Sequence, residues 1–549
     1  MNNEQSTDRK FRVLILYPNL YMMLVPSLAV GVFTRLLSDL DCEVDLFETT
    51  QYFDSDGSSP QNRVKFAQAR AFDYEKDLGL AVNHDNMFID FRKKVLDFEP
   101  DLILTSAVED VFLQAVSLLE TIEDLKIQHL VGGVFPTAAP ARCFEFPVIT
   151  HVARGEGEAI VTEFVKHLRA GETVNDVPGV WYRDEEGEVR RNPNPPLINI
   201  NDIRPDYRLF AEERFHRPMG GKFFKTVPFE TYRGCPYACT FCNSPMQRSV
   251  SKEEGAGNFL RRKTIKVLQD EMRATISVTK PEFFYFIDDS FLARPKKEIF
   301  EFCDMYEEFK IPFWFNTRPE NCFPEAMKRL KEVGAYRISF GIECGNEQFR
   351  KNVLLRSPKN TEIIESFKNI HASGIPFSVN LIIGFPGETR EHIMDTVELV
   401  RSIDGFDTLT VSIFTPYHGT TLRAIAVQNG WLDGNTITKH TTSKSLLEMP
   451  PPYVSSEDID GLAATLPLYC YFPKDEWEAI RRAETPDEEG LKLREEYQEI
   501  YRRDFLREDQ FEEKILVGGT GCRSNPKDSF RISEDRLTAA ELESLTIHA

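Results

Sequence analysis

Long apolar runs are missing from this chain of 549 residues, and nothing in it approaches the roughly 18 consecutive apolar residues that a membrane span requires. The amino terminus, MNNEQSTDRKFRVLILYPN, has no apolar stretch of signal-peptide length behind a basic start, so a cytoplasmic protein is expected. A basic stripe is missing too. With 66 Lys and Arg against 87 Asp and Glu, the formal net charge is -21, which argues against a nucleic-acid partner. The local cluster Arg261, Arg262, Lys263 and Lys266 reads as a solvated helix face. Cysteine is scarce, ten in all, and seven are scattered as Cys42, Cys143, Cys303, Cys322, Cys344, Cys470 and Cys522. That pattern excludes a disulfide scaffold and suits small buried side chains in a reducing compartment.

What is present is a globular composition, 41% apolar and 28% charged, over a length that calls for two or three domains. In residues 1–175, short apolar runs at 11–17 (FRVLILY), 43–48 (EVDLFE), 101–107 (DLILTSA), 128–134 (QHLVGGV) and 148–153 (VITHVA) are followed by stretches of helical period such as 111–125 and 159–168. Strands alternating with helices predict an α/β, Rossmann-like domain, its parallel sheet covered on both faces. Residues 50–85 begin polar and are long for a turn, so they predict a lid or insertion. Residues 176–221 predict a hairpin, WYRDEEGEVRR, and a proline-rich linker.

Residues 222–425 carry six further apolar runs: FETYRG (229–234), FFYFID (283–288), FWFNTR (313–318), YRISFGIE (336–343), FSVNLIIGF (377–385) and LTVSIF (409–414). Six strand-then-helix repeats, against eight for a closed barrel, predict a partial (β/α)6 barrel. From 426 to 549 the pattern becomes mixed and mainly helical, a region expected to cover the substrate. Within it the charged run 488–509 predicts an exposed helix, and LPLYCYFPKDEW (466–477) reads as core, with no role assigned to Cys470.

The chemistry concentrates in YRGCPYACTFCNSP, residues 232–245, which places Cys235, Cys239 and Cys242 within eight positions. A structural zinc site wants four ligands, and no fourth Cys or His lies in or beside this stretch. A zinc reading would need a fourth ligand brought from far away. Cys-x3-Cys-x2-Cys after the first barrel strand resembles the motif of the radical S-adenosylmethionine (SAM) superfamily. There three thiolates hold a 4Fe-4S cluster and the open iron chelates SAM. The resemblance implies Phe241 beside the adenine, Asp288 and Asp289 near the methionyl ammonium, and Arg318 on the SAM carboxylate. It also implies Glu343 on the ribose, the backbone at Ile383 and Gly384 near the adenine, and Tyr417 as a SAM-site neighbour beside His418. No side-chain acid or base is required.

A Rossmann-like domain ahead of such a barrel resembles the cobalamin-dependent radical SAM methyltransferase family. Doubly wound sheets bind ligands at the C-terminal ends of their strands. The resemblance thus assigns to cobalamin the segments LYPNLYM with Asn19, Leu20, Tyr21 and Met22, Ser106, LVGGVFPT with Gly132, Gly133, Phe135 and Pro136, and ARGEGEA with Gly155 and Glu156. The glycines of LVGGVFPT are expected to admit the nucleotide tail. The Asp-x-His-x-x-Gly motif that brings a histidine to cobalt is absent, and no His precedes His84.

The implied activity is methylation of an unactivated carbon, using a 5′-deoxyadenosyl radical from one SAM and a methyl group passed by way of cobalamin from another. The three-region plan resembles enzymes that act on a peptide or protein carbon as a post-translational modification, such as the glutamine C-methyltransferase of methyl-coenzyme M reductase. A small molecule is the other possibility, and a low-potential electron donor is implied in either case. The alternatives are an oxygen-independent magnesium-protoporphyrin monomethyl ester cyclase and a lipid or natural-product C-methylase. Methylthiotransferases need three further N-terminal cysteines, and only Cys42 and Cys143 precede the barrel.

Overall fold

A computed structural model describes residues 9–54, 59–439 and 444–507. The first domain contains β1 (Arg12–Tyr17), β2 (Glu43–Glu48), β3 (Leu102–Ser106), β4 (Gln128–Gly132), β5 (His151–Ala153), β6 (Val180–Arg183) and β7 (Val189–Arg191). They form one sheet in the order β2-β1-β3-β4-β5-β6-β7, parallel as far as β5. The central strand β1 shows why it is continuously apolar. Val13 and Ile15 pack with Val30, Leu37 and Phe164 on one face, while Leu14 and Leu16 pack with Phe91, Phe112 and Val116 on the other. The expected hairpin forms as β6 and β7, but β6 pairs antiparallel with β5. It therefore extends the first sheet instead of belonging to the linker.

The second sheet follows β8 (His216–Met219) and β9 (Lys222–Phe229), with β10 (Tyr232–Arg233) and β11 (Arg261–Arg262) forming a separate short ladder. It is completed by β12 (Phe283–Phe286), β13 (Phe313–Thr317), β14 (Ala335–Glu343), β15 (Phe377–Ile383) and β16 (Thr408–Ile413). Its order is β16-β15-β14-β13-β12-β9-β8, and every pair is parallel except β8 with β9. Six parallel strands curl into the expected partial barrel. The first of them ends at Phe229, where the run FETYRG begins. Gly220 and Gly221, at φ 59° and 80°, form a tight hairpin turn that starts the strand earlier. The basic cluster also differs from expectation. Arg261 and Arg262 form β11, and Lys263 is buried, donating to Glu271 at 2.7 and 2.9 Å. Lys266 alone keeps the exposed-helix character.

A half-barrel leaves two sheet edges, at β8 and β16, with unpaired backbone groups. The polar insertion of the first domain meets both. Gln68 accepts from the Val411 backbone N–H of β16 at 2.9 Å and donates to the Ala463 carbonyl at 3.0 Å. At the other edge, His216 of β8 lies 3.1 Å from the Leu78 carbonyl, and Phe72 packs edge-on to Phe223 at 6.4 Å. The C-terminal helices brace the insertion from outside. The helix Ser456–Tyr471 is buried along most of its length, and Cys470 joins the apolar core beside it. The run 488–509 folds as the helix Glu488–Tyr501 and a π turn, Arg502–Leu506, but Gln498, Tyr501 and Leu506 are buried, and the Leu506 carbonyl accepts from Arg70 at 2.8 Å. Residues 508–549, with Cys522, lie outside the described residues.

The buried amide of Gln68 fixes an expected outcome. Gln68→Ala leaves the Val411 N–H and the Ala463 carbonyl without their partner, at about 1–3 kcal/mol for each orphaned group. Denaturant unfolding should show that loss, and hydrogen exchange should accelerate at the Val411 amide.

Candidate functional site

The cluster loop begins where β9 ends. Gly234 takes φ 92°, and a Cβ there would stand 2.8 Å from the Phe259 ring, so glycine is required at this turn. Cys235, Cys239 and Cys242 are free thiols that line one cavity of about 760 Å³ inside the half-barrel. The loop is held from several sides. Arg248 donates to the Cys235 carbonyl at 3.1 Å and the Pro236 carbonyl at 2.8 Å, and Thr240 donates to the Val353 carbonyl at 2.7 Å. The helix Ser244–Glu253 starts directly behind it, with the Ser244 N–H 3.5 Å from the Cys242 sulfur. Burial pushes the Cys235 thiol up and the Cys242 thiol up to about 12, so a thiolate there needs a cation beside it. Among the described residues, no group of three or more His, Cys, Asp or Glu is arranged to hold a single metal ion. The thiolates of an iron-sulfur cluster bind different irons and stand farther apart than the ligands of one zinc.

Five of the residues expected around SAM occupy two different roles. Phe241, Asp289, Arg318 and Glu343 line the cavity with the cysteines, whereas Asp288 does not. Arg318 donates to the Cys239 sulfur at 2.7 Å and lies 3.5 Å above the Tyr237 ring. Asp289 accepts from Ser244 at 2.9 Å, and burial raises its carboxyl. Glu343 closes β14 at φ 66°, after a bulge that starts at Gly341, and accepts from Arg356 at 2.8 Å. Burial raises the Glu343 carboxyl, with Arg356 and then Arg318 opposing it. Asp288 points away from the cavity. It accepts from the Thr231 N–H at 2.7 Å, the Tyr232 N–H at 3.1 Å, the Thr231 hydroxyl and Arg294 at 2.7 Å, so it staples the start of the cluster loop.

The remaining SAM expectations move for reasons of strand alternation and domain packing. On β15 it is Asn380 and Ile382 that face the cavity, which turns Ile383 into the core. The Gly384 N–H is occupied by Glu388 at 2.6 Å. The Tyr417 hydroxyl donates to Asp110 at 2.8 Å, and His418 bonds Glu109 through its backbone N–H at 2.8 Å and its ring at 2.7 Å. This loop therefore docks on the first domain. Against its burial, His418 holds the Glu109 carboxyl below its ordinary value. Sequence reasoning missed Arg356, whose pairing with Glu343 leaves no local pattern.

A second cavity, about 460 Å³, opens at the C-terminal ends of β1, β3, β4 and β5, with β1 and β3 flanking the point where the strand order reverses. Asn19, Ser106, Gly132, Gly133, Gly155 and Glu156 line it, over an apolar floor that includes Ile15, Leu104 and Leu130. The buried Thr105 hydroxyl faces it without a hydrogen-bond partner, which fits a polar ligand entering an otherwise apolar groove. Leu20, Tyr21, Met22, Phe135 and Pro136 are not on this wall. Tyr21 and Met22 pack with Tyr74 and Leu78, and Phe135 packs on Phe112 at 4.6 Å and His418 at 5.3 Å. Gly133 has another reason to be glycine: at φ 118° its Cβ would meet the Ala107 carbonyl oxygen at 2.3 Å. The wall among the described residues includes no His, Cys or Met.

The ARGEGEA acids join the cavities together. Arg233, two residues before Cys235, donates to Glu158 at 2.7 Å and to Glu230 at 2.8 and 3.0 Å, and Arg261 pairs with Glu156. Although burial opposes it, Arg233 holds the Glu230 carboxyl below its ordinary value.

Two outcomes follow from these contacts. Asp288→Asn leaves the Arg294 charge buried beside the loop without its carboxylate, so it should cost about 3–5 kcal/mol in urea unfolding and lower the bound iron per chain. Burial pushes Glu388 up to about 8, against the pull of the Phe385 and Gly384 N–H groups. A carboxyl raised in the folded state favours folding only while protonated, so stability should fall as the pH climbs from about 4 to 8. Glu388→Gln keeps an acceptor for both N–H groups and lacks that charge. Melting curves at pH 5.5 and pH 8.5 should show the variant gaining on the parent at the higher pH.

The comparisons with known proteins agree with this geometry. Residues 229–400 match the radical SAM superfamily. The chain is 29% identical over 390 residues to an uncharacterized methyltransferase of Pyrococcus horikoshii, covering 70% of this chain and 81% of that one. It is 24% identical over 439 residues to cytidylyl-2-hydroxyethylphosphonate methyltransferase of Streptomyces wedmorensis, covering 71% and 80%. Two solved structures share the fold. TsrM of Kitasatospora setae, solved with cobalamin and a 4Fe-4S cluster bound, has a TM-score of 0.60 at 14% identity over 90% of this chain and 99% of that chain. OxsB, solved with aqua-cobalamin and S-adenosylmethionine bound, has a TM-score of 0.60 at 16% identity over 92% and 75%. Residues 229–400 thus match the radical SAM superfamily, the chain is similar to methyltransferases over about 70% of its length, and it shares its two-domain fold with TsrM and OxsB.

Proposed function

We propose that the protein methylates an unactivated carbon of a small molecule, as a cobalamin-dependent radical SAM C-methyltransferase. The observation that carries this reading is the meeting of two cavities at one short strand. Arg233 of β10 lines the first-domain cavity, and Cys235, two residues on, lines the barrel cavity. Cys235, Cys239 and Cys242 would hold a 4Fe-4S cluster, and Phe241, Asp289, Arg318 and Glu343 would hold SAM. The strand ends at Asn19, Ser106, Gly132 and Gly155 would hold cobalamin. Bound there, these groups supply a carbon-centred radical and a transferable methyl group.

The chain's own part is positioning and exclusion of water. Arg318 sets a fixed positive charge beside the Cys239 sulfur, suited to a carboxylate close to the cluster. Ser378, Asn380 and Thr410 give the barrel wall hydrogen-bonding groups for a substrate, and the insertion at Gln68 to Phe72 shuts the side of the half-barrel. With no His, Cys or Met on the first-domain wall, a cobalamin would take no strong side-chain ligand from the described residues there.

The small-molecule reading is supported by enclosure. About 760 Å³ between the barrel strands, β8 and the insertion is the size of a small-molecule site. A peptide or protein carbon, such as the glutamine of methyl-coenzyme M reductase, would need an extended groove in its place. TsrM has been solved with its substrate tryptophan.

The test is anaerobic. After reconstitution with iron, sulfide and cobalamin, SAM and a strong reductant should yield 5′-deoxyadenosine and S-adenosylhomocysteine together, quantified by mass spectrometry. Both products should be lost in Cys235→Ala, Cys239→Ala and Cys242→Ala. Product formation in any of these variants would sink the cluster assignment, and 5′-deoxyadenosine without S-adenosylhomocysteine would favour a non-methylating, cyclase-like reaction.

A further inference from the structure

The barrel cavity is longer than its cofactor end. Arg318 and Glu343 stand at the C-terminal ends of β13 and β14, whereas Trp314 and Arg337, paired in register, stand four and six residues earlier. At about 3.3 Å per residue, the cavity runs roughly 13–20 Å down the barrel from the cluster end. The lower part is lined by Tyr285 and Trp314, stacked at 4.0 Å and 5°, and by residues of β8 and of the insertion.

The charges in this cavity do not balance. Six arginines and three carboxylates line it. At the cluster end Arg318 has Glu320 and Arg356 has Glu343. Lower down, Arg337 is paired with Asp407, and Arg70 is bonded to the Leu506 carbonyl. Arg63 and Arg217 are different. Arg217 lies 4.3 Å above the Tyr285 ring and 3.5 Å from its hydroxyl, and no carboxylate among the described residues pairs with it. The Arg63 carbonyl accepts from the Gln68 N–H at 2.7 Å, but its guanidinium has neither a hydrogen bond nor an ion pair among the described residues. It keeps open surface in the cavity, yet burial and then the neighbouring Arg217 charge hold its guanidinium below the ordinary value, with Tyr285 opposing. Asp77, the carboxylate on this part of the wall, accepts instead from the Asp73 N–H at 2.7 Å.

Two guanidinium groups that face one cavity without a carboxylate partner among the described residues offer a ready site for an anion between them. They are the more notable in a chain of net charge -21, where carboxylates are plentiful. Arginine presents a planar fork that matches the oxygens of a phosphoryl or phosphonyl group, and a hydroxyl beside the fork adds a further donor.

We propose that Arg63, Arg217 and the Tyr285 hydroxyl form the recognition site for a tetrahedral phosphorus oxyanion, a phosphate ester or phosphonate carried by the substrate. The inference rests on the radical SAM reading for what the cavity does, and on the unpaired arginines for what it takes. Arg63 comes from the insertion that closes the half-barrel, so the anion ties that segment to β8 and the substrate seals its own cavity. The carbon to be methylated lies toward the cysteines, on the far side of the substrate from this anion.

The experiment titrates the reconstituted full-length protein, with SAM present and no reductant, with inorganic phosphate, methylphosphonate and acetate by calorimetry. Phosphate and methylphosphonate should bind, and acetate should bind far more weakly. Arg63→Gln and Arg217→Gln should each weaken phosphate binding by about 10- to 100-fold, the range for a lost charged hydrogen bond. Lys65→Gln, on the same helix but off the cavity wall, should leave it unchanged. Bound iron and melting midpoints of the variants report whether each is folded, and Arg63→Lys, which keeps the charge, should recover part of the affinity if the fold is intact. Failure of the wild type to bind phosphate, equal binding of acetate, or phosphate binding indifferent to both arginines would overturn the proposal. A wild type that cleaves SAM but binds no phosphate would remove this inference and leave the proposed function standing. A protein that binds phosphate through these arginines but cleaves no SAM would do the reverse.

Discussion

The geometry of the site depends on Arg233. It belongs to a two-residue strand, and its guanidinium reaches Glu158 of the first domain and Glu230 at the end of β9 together. The chain turns at Gly234 immediately afterwards and enters the cysteine loop. A buried charge with good partners is a stringent positional constraint, because any shift leaves a desolvated ion short of its counter-ion. The same contact therefore sets where the first thiol stands and how the first-domain cavity faces the barrel. Arg261 and Glu156 repeat the arrangement on the neighbouring strand, so two ion pairs on one short ladder tie the domains together beside the cysteine loop, as the Tyr417 and His418 contacts do elsewhere.

A half-barrel with this cavity is incomplete by itself. Its two edge strands would expose backbone groups, and its polar interior would open sideways to water. The first domain supplies the missing wall through an insertion that is otherwise remote from its own sheet, and Gln68 imitates a strand by offering one acceptor and one donor to two separate backbones. The C-terminal helices then hold the insertion in place through Arg70 and Leu506. Two sequence regions thus line one cavity, and the third braces it from outside.

Much of this was legible in the chain. Alternation of apolar runs with helical stretches located ten of the parallel strands closely, because central parallel strands such as Val13 to Leu16 must be apolar on both faces. The cysteine spacing was legible because three thiols in one loop face one cavity whatever the rest of the fold does. What was not legible depends on direction or distance. Asp288 and Asp289 are adjacent and alike, yet one staples a loop and the other faces the cavity, since neighbouring side chains diverge. Tyr417 and His418 docked on the first domain because a residue's partners across about 300 positions leave no trace in local pattern. Gly133 was read as making room for a ligand; it lines the first-domain cavity, and it also makes room for the backbone at Ala107. The Gly-Gly hairpin before β9 was available as a short-range signal and went unread.

The contact between Arg70 and the Leu506 carbonyl joins positions 436 apart, and that between Gln68 and Ala463 joins positions 395 apart. Loop closure of that length comes late in folding, after local and sheet contacts have formed. On a ribosome, which releases the chain from its amino terminus, the lining of both cavities and the three cysteines emerge long before the bracing C-terminal helices can dock. The nascent protein is then an open trough with three thiols on its wall, and the insertion takes its final hold only when the last helices dock.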